Sequence, residues 1–364
     1  MANFFSSPKG VVVAGLTLGL GASVLQKLGN PPNMGLCVAC FGRDLAGSLG
    51  LHRAEVVQYA RPEIFGLVLG AFVAALASGE FKPRAGSSPL IRLCLGFFVA
   101  IGALIFLGCP WRALLRLAGG DGNAILGLLG LIAGVYVGAA FIRRGFTLGA
   151  SQKTVAAFGL AFVLLVLVLL ALRLIYPPLP LAAKNDVLFY SLKGPGSLRA
   201  PLWASLSLAL IIGFVGQRSR FCSISAIQNV LLFREFHFLW GVVGFVVAAW
   251  VANLAFGQFH PGFVKQPIAH SLYFWNFFGL AVVGFGCSLA GGCPLRQLFL
   301  AGEGDADAGV FVLGLLFGLA MAHNFAAAAS GDGLGLHSQA VGIFSLAMIL
   351  LIAIFGRPVK PATA

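Results

Sequence analysis

Gly108-Cys109-Pro110-Trp111-Arg112 is answered, 184 positions further on, by Gly292-Cys293-Pro294-Leu295-Arg296. At the same offset Gly120-Asp121-Gly122-Asn123-Ala124 faces Gly304-Asp305-Ala306-Asp307-Ala308, while Cys37 and Cys222 stand 185 apart. The repeat unit is about half of the 364-residue chain. Internal repeats of this kind build two-fold carriers, with the substrate site between the halves. The doubled phrase therefore predicts a site lined with thiols and cations.

The surrounding composition is that of a membrane protein. Apolar residues make up 59% of the chain and charged residues 10%, with a mean hydropathy of +0.96; soluble domains carry about 25% charged residues. Its apolar runs reach the roughly 17–25 residues that cross a bilayer. The first run has no short apolar core ending in a small-residue cleavage site and reads as a retained helix. Of the formal charge of +13, most reads as loop Lys and Arg that orient the chain by the positive-inside rule. The arginines inside the repeated phrases are kept for a second role, attraction of an anion. No nucleotide-binding loop, dinucleotide fingerprint or serine elbow is present, so neither enzymatic activity nor a cofactor is expected. Nucleic acid is not expected as a partner; membrane lipids are.

The hydropathy predicts an all-α polytopic protein with ten spanning helices, near 11–27, 62–79, 90–107, 124–141, 155–175, 200–216, 238–257, 273–290, 308–327 and 339–355. Four shorter apolar segments, 33–45, 109–117, 221–233 and 293–300, follow breaks rich in Gly, Pro or Arg. Short interrupted segments at matching places in two halves point to a transport site. They read as re-entrant half-helices, which survive at membrane depth only when buried in protein or lining a cavity. The polar stretch 177–199, holding Lys184, Asn185 and Asp186, divides a first half (1–176) from a second (200–364). Five spans per half predicts an inverted repeat. Loop charges at Lys82, Arg84, Arg92, Arg143, Arg144 and Lys153 fall on one side and favour an inside amino terminus. Gly66/Gly70 and Gly134/Gly138 are small-xxx-small pairs for close helix approach.

Seven cysteines (37, 40, 94, 109, 222, 287 and 293) form an odd set with no expected disulfide framework. Proline suits the first position of a helix, where its missing N–H costs nothing. Gly-Cys-Pro thus places Cys109 and Cys293 at helix caps, where free N–H groups and the helix dipole suit an anion. Arg112 and Arg296 follow one turn later and can add charge-assisted donors. A soft sulfur, backbone donors and a cation within one turn fit a small anion carrying sulfur or selenium better than phosphate. Arg43 follows Cys37 by six residues, and Arg220 precedes Cys222 by two. Cys37 and Cys40 form a CxxC pair, but no second pair completes a zinc site and no βαβ setting supports a thioredoxin-like role; no metal is expected. Cys287, six residues before Cys293, is a further pathway candidate, and Cys94 reads as core. His270 and His323 lie near helix ends and invite either an interfacial or a site role.

Taken together, the blocks 33–41, Gly50-Leu51-His52-Arg53-Ala54, Arg61-Pro62-Glu63, 108–112, 217–220, 291–298, 301–305 and His323-Asn324-Phe325 resemble the YedE-related selenium-metabolism membrane proteins, a branch of the YeeE/YedE sulphur-transport superfamily. The resemblance runs across nearly the whole chain. It implies a multi-pass bacterial inner-membrane protein that imports a selenium species. It also implies the hourglass fold of the related thiosulfate importers, which pass substrate along essential cysteines. Their Gly-Gly-Cys phrase matches Gly291-Gly292-Cys293, and their first-half cysteines correspond in kind to Cys37 and Cys109. The proline after both pore cysteines and the presence of Cys222 depart from that branch. The candidate site is thus Cys37, Cys109, Cys222, Cys293 and Cys287 with Arg112, Arg296, Arg43 and Arg220. The alternatives are a thiosulfate importer, or a membrane thiol protein that relays persulfide or selenopersulfide to a cytosolic sulfur or selenium carrier.

Overall fold

Proline stands in the first turn of α1 (Pro8–Lys27), α3 (Pro62–Ala77), α4 (Pro89–Phe106), α5 (Pro110–Ala118) and α12 (Pro294–Gly302), where its fixed φ is already helical and its lost donor is not needed. The computed structural model describes residues 4–178 and 187–356. Lys184, Asn185 and Asp186 of the expected connecting stretch lie outside the described residues. The other helices are α2 (Val38–Ser48), α6 (Asn123–Arg143), α7 (Ala156–Ile175), α8 (Leu202–Ser219), α9 (Ser223–Phe233), α10 (His237–Ala255), α11 (Tyr273–Ala290), α13 (Ala306–Asn324) and α14 (Leu336–Phe355). One small antiparallel ribbon pairs β1 (Arg84–Ala85) with β2 (Gln152–Lys153).

Helices α1 to α7 and α8 to α14 follow the same order of long and short elements. Nine helical stretches are long and apolar enough to span a bilayer among the described residues, and α3, at 16 residues, is a shorter apolar helix. The four short helices α2, α5, α9 and α12 fall on the four expected half-helices. The largest boundary difference is at α2, which starts at Val38 and not near 33. Asn33 has a left-handed φ of 54°, and the chain from there to Cys37 runs inward without helical turns, tucked against Ala22 of α1.

The halves are inverted. Asn30, just past α1, donates to Glu63 at the start of α3 (2.7 Å) and accepts from the Ala200 N–H just before α8 (2.9 Å). Helix α1 therefore ends where α8, its counterpart, begins. Likewise α4 crosses its counterpart α11 antiparallel, with Gly102 against Gly279 and Val99 against Gly286. The main packing partners are exchanged between halves: α1 lies on α10 as α8 lies on α3, and α6 on α11 as α13 on α4. Close approach here depends on the small-residue pairs. A Cβ on Gly70 or Gly134 would collide with the backbone carbonyl of Leu210 or Ala281, which are the contacts that small-xxx-small spacing permits.

The ribbon joins the loop of Lys82 and Arg84 to that of Lys153, so these basic loops share one face, termed here the ribbon face. The Gly-Asp phrases close the two ends of the molecule. Gly120 and Gly304 both take left-handed φ values, 95° and 97°, a conformation that glycine adopts at no steric cost. Asp305 caps α13 by accepting from the Ala308 N–H (3.0 Å) and pairs with Arg84 (2.7 Å). Asp121 accepts from the Asn123 N–H (2.9 Å) and pairs with buried Arg116 (2.6 Å).

A thiol cluster where four helix starts meet

Cys37, Cys109, Cys222 and Cys293 are the N-cap residues of α2, α5, α9 and α12, each with extended backbone (φ −153°, −83°, −150° and −68°). Proline marked two of these caps in the sequence; at Cys37 and Cys222 no proline follows, and the cap is a finding of the structure. Two sulfurs act in the place of the usual cap oxygen. Cys37 Sγ accepts from the Cys40 N–H at 3.3 Å, and Cys293 Sγ from the Arg296 N–H at 3.5 Å. All four residues are fully buried.

The repeat pairs the thiols. Cys37 and Cys109 lie beside each other in the first half, as Cys222 and Cys293 do in the second. The Cys293 N–H also donates to Cys222 Sγ at 3.3 Å. Trp111 joins the two pairs. Its Nε1–H donates to Cys293 Sγ at 3.3 Å, and its ring packs edge-on to Phe221 and Phe245 at 5.0 and 4.9 Å. Trp111 was not among the candidate residues, although one signal existed: it is the member of the repeated phrase that differs, standing where the second copy has Leu295. From this meeting point α5 runs to the face where Gly119 receives the His260 N–H on its carbonyl, and α12 runs to the ribbon face, where the Lys82 N–H donates to the Glu303 carbonyl.

The cations are not symmetric. Arg112 is fully buried and donates to the carbonyls of Asn33 (3.3 Å) and Ile268 (3.0 Å), with Nη1 4.0 Å from Cys40 Sγ. Its counterpart Arg296 is held by Glu303 at 3.0 Å. Among the described residues Arg112 has no carboxylate partner, so the first half keeps a buried positive charge that the second half neutralises. Arg43 and Arg61 share one carboxylate, Asp44, at 2.8 and 2.7 Å. Arg220 is the candidate the fold leaves outside the cluster. Its side chain is 64% exposed and lies 3.8 Å from Glu80, because as the left-handed C-cap of α8 it turns away before Cys222.

Cys287 is buried in α11, six residues before Cys293. Cys94 sits half-buried in α4, packed against the core. Cys40 donates to the Leu107 carbonyl at 3.8 Å. His270 is locked to the Ile105 carbonyl at 2.7 Å and to Asn276, a structural role. His323 stacks on His52 at 4.6 Å between ring centres, and His52 in turn bonds the Arg43 carbonyl at 3.0 Å. Burial lowers the His52 pKa from its ordinary value, against the raising effect of that carbonyl. Among the described residues no group of three or more His, Cys, Asp or Glu could hold a metal ion.

Inverted helical halves, with short helices whose starts meet inside the protein, define a polytopic membrane protein built on a carrier-type plan. The chain belongs to the sulphur transport family, whose sequence profile matches residues 1–111 and 218–357. Those two stretches contain both thiol pairs. The chain is also similar to the thiosulfate transporter TsuA of Spirochaeta thermophila, at 30% identity over 124 residues. That similarity covers 32% of this chain and 34% of the relative.

Proposed function

We propose that this protein carries a small sulfur- or selenium-containing anion into the cell, through the point where the four cysteine-capped helices meet. The observation that carries the proposal is the convergence of two thiol pairs, one from each inverted half, on helix starts that favour negative charge. Family membership supports transport of sulfur compounds. The blocks shared with the selenium-metabolism branch favour a selenium species, and the partial likeness to a thiosulfate transporter keeps thiosulfate as the alternative. The ribbon face collects Lys82, Arg84, Arg143, Arg144 and Lys153, so the positive-inside rule assigns it to the cytoplasm of a bacterial inner membrane.

In this reading an anion first meets the uncompensated charge of Arg112 beside Cys37, Cys40 and Cys109. It then passes Trp111 to Cys222 and Cys293, accepting S–H hydrogen bonds in turn, with no bond made or broken. Arg296, tied to Glu303, leaves the second thiol pair with less uncompensated positive charge than the first. Release therefore follows capture, as conduction requires. A relay of persulfide to a soluble carrier would need a thiol that the carrier can reach, and the four caps are all buried. Uptake into proteoliposomes holding only the purified chain separates the readings. Labelled selenosulfate, selenite and thiosulfate are compared, and accumulation of any of them against an empty-liposome control supports transport. Failure of all three, with a mass increase on a cysteine, supports the relay.

A further inference from the structure

On the face opposite the ribbon, a cavity of about 310 Å³ opens beside the loop that follows α13. Its polar lining is sparse and consistent in character. Arg43 is buried in its wall, and His323 lines it with an Nε2 that is buried and has no hydrogen-bond partner. Ala54, Val57, Ile268 and Ala329 supply apolar walls, which strengthen any charge interaction inside. Arg43 and Arg61 share the single carboxylate of Asp44, so the buried cluster to which Arg43 belongs keeps a net positive charge behind the cavity wall.

Leu107 lines the same cavity, and its carbonyl receives the Cys40 thiol, so it joins the cavity wall to Cys40, three residues along α2 from the Cys37 cap. It does so in a left-handed conformation (φ 62°, ψ 44°) that is strained for a residue with a Cβ. The counterpart in the second half is Gly291, in nearly the same conformation (φ 82°, ψ 21°) and free of that strain. The fold thus asks for glycine at this corner, and the first half carries leucine instead. A side chain is gained there at a cost in backbone energy, on a residue that both lines the cavity and bonds Cys40.

We propose that this cavity is an outer binding chamber for a tetrahedral oxyanion of sulfur or selenium, held by Arg43 and His323, with Leu107 as its closed floor. The proposal rests on the transport reading above and adds a separate site ahead of the thiols. Calorimetric titration of the purified full chain with sulfate and with thiosulfate tests it, with a thiol variant to separate the chamber from the path beyond it. The chamber predicts binding of both. The double variant Cys109→Ser/Cys293→Ser retains affinity within about threefold, whereas His323→Ala weakens it by about tenfold or more. No binding by the wild-type chain, loss in the thiol variant, or no change in His323→Ala overturns the chamber. Leu107→Gly, which suits the local backbone, tests the floor without relying on His323→Ala folding. Modification of the thiols by a charged thiosulfonate reagent should quicken by about tenfold; an unchanged rate shows that Leu107 is not the floor. Chamber binding in a chain that fails to transport would refute the carrier reading and leave the site intact.

Discussion

At the residue scale, the two copies of the cysteine phrase have the same backbone and different electrostatics. Arg112 is buried with two carbonyls and the Cys40 sulfur as partners, whereas Arg296 is paired with Glu303. The expected consequence is a split between two otherwise equivalent substitutions. Arg112→Gln should cut uptake by about tenfold or more, since a charge-assisted hydrogen bond to an anion contributes about 1.5–3 kcal/mol. Arg296→Gln should change uptake little and lower the melting temperature, because it leaves Glu303 only the longer ion pair with Arg84 at 3.8 Å. Equal losses of uptake in the two variants would contradict the assignment. The sequence displayed the phrase, the caps at Cys109 and Cys293, and both arginines. It displayed Gly119 where the second copy has Glu303, but not that Glu303 folds back onto Arg296 seven residues before it. Trp111 was hidden for the same reason, since its partner Cys293 is 182 residues away.

Among the elements, the spanning helices were legible because an apolar run of bilayer length admits one structure in lipid. The starts of α2 and α9 were not, because neither carries the proline that announced α5 and α12. Interhelical contact is the more demanding feature. Gly134 faces the Ala281 carbonyl so closely that Gly134→Val should push α6 from α11, at a cost of about 1–3 kcal/mol or more, read as a lower melting temperature in detergent. A melting temperature equal to wild type would show that the contact is looser than described. At the end of α3, desolvation raises the Glu80 pKa, but the Gln217 amide and the Arg218 and Arg220 charges outweigh it and hold the carboxyl below its usual value. A depressed carboxyl stabilises the fold above its unfolded value, about 4.3, and the benefit fades as pH falls through the folded value. Glu80→Gln should therefore lower stability near neutral pH by about 1 kcal/mol or less and flatten the loss below pH about 4, measured by thermal melts across pH.

For the whole molecule, inversion makes the opposite ends of one path from two copies of one unit, and the exchanged packing of α1 on α10 and α3 on α8 locks the copies together. The odd number of spans per half already implied inversion; the interlocking did not follow from it, because hydropathy carries no information on which helix faces which. Orientation is open to a direct check. Single cysteines placed at Lys153 and at Ser330 in intact cells should label from opposite sides, Ser330 from outside and Lys153 only after permeabilisation. The reverse pattern would turn the entry chamber into an exit. The central claim is that thiols from both halves form one path for the anion. Its most direct test is the initial rate of labelled anion uptake by proteoliposomes holding wild type, Cys109→Ser or Cys293→Ser at equal protein content. The account predicts that either substitution alone reduces uptake by about tenfold or more, with the protein still folded and inserted. Uptake at the wild-type rate in both variants would contradict it.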